Sequence, residues 1–154
     1  MIDQSTFMDS FVQAIATKMG FYQSWKNIEP ISQKLNNPGC LEHWKDSNGK
    51  SFPVLNGYVN FPNASLGFGA LKAQSKINIL KRGLTFREFF MGKPRVYDGF
   101  CKRGTPRDAA LEMANFVCNW VVRRLGIPAD SVTLDTPIYT LITGAKAPEL
   151  RKAA

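Results

Sequence analysis

Twelve carboxylates, one histidine and three cysteines are the side chains of this 154-residue sequence from which acid–base or nucleophilic chemistry could be built. Glu29 has the most suggestive setting. Ile28, Pro30 and Ile31 surround it with apolar neighbours that would desolvate a carboxyl and raise its pKa, as a general acid requires. A solvated loop carboxylate is the simpler reading. Glu42 and Asp46 lie in a turn-rich stretch where carboxylates are usually hydrated, and Glu88 is committed to a helix cap. No two acids stand out as an acid–base pair. The single histidine, His43, has no serine or cysteine placed to serve it as a nucleophile. Cys40, Cys101 and Cys118 form no CxxC, and one histidine cannot complete a zinc site of the usual kind. No metal or cofactor is expected, and a reducing compartment fits the odd cysteine count.

The stretch "KLNNPGCLEHW" holds the other candidates. Asn36 and Asn37 precede Pro38-Gly39, so the carboxamides are expected to bond the backbone while Pro-Gly forces a turn. Whether the turn is purely structural or also touches a ligand stays open at this point. Trp44 and Tyr58 are the candidates for stacking on sugar rings, while Trp120 reads as core.

These residues need elements to hold them. Phe7, Met8, Phe11, Val12, Ile15, Ala16 and Met19 recur at three- and four-residue steps, predicting a helix from residue 3 or 5 to 19, stopped by Gly20. Residues 21–39 lack periodicity, and Pro30 and Pro38 are expected to break any helix. "CLEHW", "KDSNGK" and "SFPVL" read as a hairpin turning at Asn48-Gly49, with "GYVNF" as a third strand. Pro62 suits the start of a helix whose seam is Leu66, Ala70, Ala73, Ile77 and Leu80. Thr85 and Glu88 form a capping box for a short helix ending by Gly92 or Pro94. After a basic and aromatic loop over residues 93–104, a helix begins near residues 105–108 and buries Ala109, Met113, Phe116, Val117, Trp120, Val121 and Leu125. A last short helix is expected over residues 137–143. The reading is α+β and mainly helical, with a small antiparallel β-flap: a single domain over residues 1–143 and a basic C-terminal tail over 144–154.

At 44% apolar residues the chain can bury a sizeable core. Its net charge of +8 favours polyanions, whether wall polymers, anionic membranes or nucleic acid. No stretch approaches 18 uninterrupted apolar residues, and the N-terminus lacks a signal peptide's basic start and apolar run. Synthesis in a cytoplasm is expected, with no membrane span.

"AIATKMGFY", "LNNPGCL", "GYVNFPNASLGFGAL", "KRGLTFREFF" and "FVCNWVVRRLGIPADSVTLDTP" resemble, in order, successive blocks of the lysozyme-like domain of phage virion and endolysin proteins, related to lytic transglycosylases. The resemblance covers roughly residues 11 to 137, and "NNPG" is its most specific block. It implies a lysozyme-like fold whose catalytic glutamate precedes the glycine that ends the first helix. Met19 stands at that position, and a thioether has no proton to give. The family's tyrosine matches Tyr97 and its threonine Thr105, but the Glu-Asn pair beside that threonine is missing. The implied glycan-binding residues are Asn36, Asn37 and Gly39 of the turn, with Tyr97; Trp44 and Tyr58 join them as stacking candidates.

Three functions follow as expectations. The first is a phage virion structural component, a pseudoenzyme made in the bacterial host cytoplasm, partnered by other virion proteins and in contact with peptidoglycan. The second is an active peptidoglycan glycosidase, a muramidase or lytic transglycosylase, using Glu29 as a displaced acid. The third, a virion protein that binds nucleic acid, has only charge in its favour. The reading leans towards the first and against catalysis.

Overall fold

Helix α1 (Gln4–Lys18) forms where the apolar periodicity predicts it, and Phe7, Met8, Phe11, Val12, Ile15 and Ala16 are all buried. Asp3 starts it. One carboxylate oxygen accepts the Thr6 amide at 2.9 Å and the other the Thr6 hydroxyl at 2.7 Å, which holds the Asp3 pKa below its ordinary value. Gly20 stops the helix at φ +84°, with Gly20 N donating to Thr17 O and Phe21 N to Ala16 O. Those nested bonds satisfy two of the last carbonyls and require a left-handed residue that only glycine adopts freely.

The computed structural model describes residues 2–101 and 104–148, and its contacts gather into two compact units. One comprises residues 11–75, the other residues 1–10 together with 76–154. Of the expected tail, residues 149–154 lie outside the described residues.

In the unit of residues 11–75, a one-turn helix α2 (Ile31–Lys34) occupies a stretch expected to be free of helix. Pro30 sits just ahead of it, where its missing N–H costs nothing, and its carbonyl accepts from Gln33 and Lys34. The proline starts a helix instead of breaking one. The expected hairpin also moves. Around Asn48-Gly49 there is only an isolated bridge, Lys45 to Ser51, closed by Asp46. Its carboxylate accepts from the Asn48 and Lys50 amides. The paired strands are β1 (Val54–Leu55) and β2 (Tyr58–Val59), antiparallel, with Leu55 opposite Tyr58. Asn56 and Gly57 turn between them at φ +54° and +85°, the double left-handed geometry of a two-residue hairpin loop. Asn63 caps α3 (Ala64–Lys76) through the Leu66 amide, so Pro62 lies outside the helix. Gly67, Ala70, Leu71 and Ser75 face inward; of the expected seam Ala70 is buried, Ala73, Ile77 and Leu80 are half-buried and Leu66 is exposed.

In the other unit, a π-helical turn (Ile77–Lys81) precedes α4 (Phe86–Met91). The expected capping box is complete: the Thr85 hydroxyl accepts the Glu88 amide, and the Glu88 carboxylate accepts the Thr85 amide. Helix α4 packs on α5 (Arg107–Arg124). The buried face of α5 is Ala110, Met113, Ala114, Val117, Cys118, Val121 and Val122. Ala109 is exposed, and Phe116, Trp120 and Leu125 are only half-buried. Trp120 is thus not core: its ring lies 4.4 Å from the Arg124 guanidinium carbon. Short 3-10 turns, Ala129–Ser131 and Ile138–Leu141, follow. The second lies within the expected last helix. The chain is α+β, 47% helical, with one small two-stranded antiparallel sheet. Among the described residues, no helix is long and apolar enough to cross a membrane.

Candidate functional site

The end of α1 is tied directly to the asparagine turn. Met19 is half-buried, and its carbonyl accepts the Ser32 hydroxyl at 2.9 Å. Ser32 is itself wholly buried, and its carbonyl accepts the Asn37 amide at 2.9 Å. Gln33 adds a second tie, its amide donating to the carbonyls of Gly20 and Gln23. One turn of helix therefore staples the position before Gly20 to the "NNPG" segment. Neither Ser32 nor Gln33 stands out in the sequence. The available signal was Pro30 followed by four residues able to make a helical turn.

Asn37 is 0% exposed. Its Nδ2 donates to Leu41 O and Val59 O, both at 2.9 Å, and its Oδ1 accepts the Leu41 amide at 2.9 Å. Both amide protons and the carbonyl are engaged inside the protein, joining the turn to β2. Asn36 sits at φ +51°, with Nδ2 donating to Phe61 O at 3.2 Å. Gly39 is buried, and a Cβ there would meet Leu71 at 2.7 Å. The approach is closest at Gly67 of α3, where a Cβ would lie 1.9 Å from the Asn36 carbonyl oxygen. The "NNPG" segment is a packed junction between α2, α3 and β2. Its asparagine amides are committed to backbone carbonyls.

The other predicted residues are distributed as follows. Glu29 is half-buried and adjoins Pro30, whose ring a Cβ on Gly20 would meet at 3.4 Å. Trp44 is half-buried and packs, with Leu41 and Phe52, on the cluster of Val59, Phe61 and Ala70. Tyr58 is half-buried in β2. Tyr97 belongs to the other unit, where its ring lies 5.3 Å from the Arg82 guanidinium carbon and 6.4 Å from the Phe89 ring. The most exposed aromatics in the unit of residues 11–75 are Tyr22 and Trp25. Tyr22 is 57% and Trp25 48% exposed, with Tyr22 stacked at 6.4 Å on Phe68.

All three cysteines are free, and burial pushes each thiol up, Cys40 to about 11. A neutral buried thiol is a poor nucleophile. Among the described residues, no group of three or more His, Cys, Asp or Glu gathers as a metal site would require. Comparison with protein-family models, curated proteins and solved structures finds no match.

Proposed function

We propose that this chain is a structural component of a bacteriophage virion, built on a degenerate lysozyme-like domain that contacts peptidoglycan without cleaving it. The observation that carries the reading is Met19. It occupies the residue before the helix-ending Gly20, half-buried and bonded through Ser32 to the turn at Asn37. An acid at that point would stand on backbone tied to the turn and be partly shielded from water, and such shielding is what raises a carboxyl's pKa for protonating a glycosidic oxygen. Methionine keeps the packing and removes the proton.

The second reading, a glycosidase with a displaced acid, draws on Glu29. That residue is half-buried and borders Pro30, which lies against Gly20. The sequence offers no second acid that stands out as its base or nucleophile, and glycoside cleavage ordinarily uses two.

A turbidity assay on purified peptidoglycan separates the readings. The pseudoenzyme reading predicts no clearing by the unmodified protein and no change with Glu29→Gln. Clearing that Glu29→Gln abolishes would establish the displaced acid. Wall contact itself predicts co-sedimentation with peptidoglycan that weakens as salt rises, because exposed cations are screened.

A further inference from the structure

Half of the chain's net charge of +8 falls in residues 76–101, which hold six Lys and Arg against two Asp and Glu. Two of the six cations are already engaged. Arg87 pairs with Asp135 at 2.8 Å, and Lys93 lies 3.8 Å from Glu88. Arg82 is different. It is exposed, no carboxylate among the described residues pairs with it, and yet its head group is held in place. Its Nη1 donates to Asn78 Oδ1 at 2.6 Å, and its guanidinium lies over the Tyr97 ring at 5.3 Å.

The holder is unusual. Asn78 is 0% exposed within the π-helical turn, a geometry found mostly as single turns and often at functional sites. Its backbone is fixed as well, the carbonyl accepting the Leu84 amide at 3.1 Å, while Arg82 N donates to Ile77 O. The side-chain nitrogen of Asn78 is buried without a partner, a group that folding alone would not favour. What the arrangement secures is the orientation of Arg82.

We propose that Arg82 is a carboxylate-binding site, and that its ligand is the carboxylate of an acidic stem peptide of peptidoglycan. This rests on the wall-contact reading above. A guanidinium with one Nη engaged on Asn78 retains its Nε and Nη2, a planar pair of donors that matches the two oxygens of a carboxylate. Holding the side chain in advance removes much of the entropy cost of ordering it on binding. Single-stranded nucleic acid fits less well. It needs aromatic faces open to bases, and the Tyr97 ring already carries Arg82 and lies beside Phe89.

The test is a titration of the full chain with a soluble acidic stem tetrapeptide and with the same peptide fully amidated, following the arginine Nε–H resonances. The acidic peptide should shift the Arg82 signal, and the amidated peptide should not. Arg82→Lys, which keeps the charge but loses the planar pair, should weaken binding by about tenfold or more. Equal binding by Arg82→Lys, or by the amidated peptide, overturns the assignment. So does an oligothymidylate that displaces the peptide and binds more tightly. Peptide binding without retention on whole peptidoglycan supports the site while removing the wall reading. Retention on peptidoglycan with no Arg82 shift removes the site alone.

Discussion

Two of the described asparagines, Asn37 and Asn78, are wholly buried, and they are used in opposite ways. Asn37 spends its side chain on three backbone groups, two carbonyls and one amide, all at 2.9 Å. Asn78 donates nothing from its side chain and accepts only from Arg82, leaving its nitrogen without a partner. A satisfied buried amide specifies architecture, because any neighbour that moved would strand a polar group. An incompletely satisfied one that steadies an exposed cation is expected where the cation has a ligand. The asparagine turn is therefore the better-sealed region, and the basic segment after α3 is the one with an incompletely satisfied polar group.

The largest effect should come from closing the tightest approach at the sealed corner. Gly67→Ala puts a Cβ 1.9 Å from the Asn36 carbonyl, so α3 or the turn must move. A loss of about 4 kcal/mol or more, or failure to fold, is expected in denaturant unfolding. A fully stable variant would show the corner to be loose and break the comparison. Asn37→Leu should follow at about 3 kcal/mol, since it strands the Val59 carbonyl and the Leu41 amide N–H inside the protein and leaves the Leu41 carbonyl with only the Val59 amide.

Asn78→Leu sharpens the contrast from the other side. It removes an unpartnered buried nitrogen together with one bond to an exposed arginine, so stability should change by no more than about 1 kcal/mol. Losses from Asn78→Leu as large as those from Asn37→Leu would make both asparagines architectural. The smallest effect concerns Cys40, at the end of the sealed turn. Its thiol is raised by burial from 9.0 to about 11, so the native state keeps a proton that the unfolded chain gives up. Its contribution is complete below the unfolded value and is lost as pH rises from about 9 towards 11, costing about 1 kcal/mol by about pH 10. Chemical unfolding measured across that window should show this fall, reduced in Cys40→Ala.

Much of the architecture was legible because local signals stood alone. The apolar period of α1, the glycine that ends it and the Thr85–Glu88 box each act over a few residues and met no competing tertiary demand. The misplacements have a shared cause. Two Asn-Gly pairs lie eight residues apart, and local chemistry cannot say which one joins paired strands; Asn56-Gly57 does, while Asn48-Gly49 closes only an isolated bridge. The inward face of α3 was set by Gly67 meeting the Asn36 carbonyl, a contact between segments about thirty residues apart that no periodicity encodes. The same holds at the candidate site. Asn36 and Asn37 could be picked out from their types, but that Ser32 joins Met19 to them depends on a helical turn that the prolines seemed to forbid. Arg82 looked like any helix-end cation until Asn78 and Tyr97 were seen to hold it.

The central claim is that a wall-degrading site has kept its packing and lost its acid. It is tested most directly by measuring the muropeptides released into solution when purified peptidoglycan is incubated with the unmodified protein, Glu29→Gln and Met19→Glu. The account predicts none above background from the first two. It predicts at most slight release from Met19→Glu at mildly acidic pH, since general acid catalysis alone contributes about 10²–10⁴-fold. That variant should also be less stable than the parent, because an unpaired carboxyl replaces an apolar side chain. Release by the unmodified protein, removed by Glu29→Gln, would contradict the account.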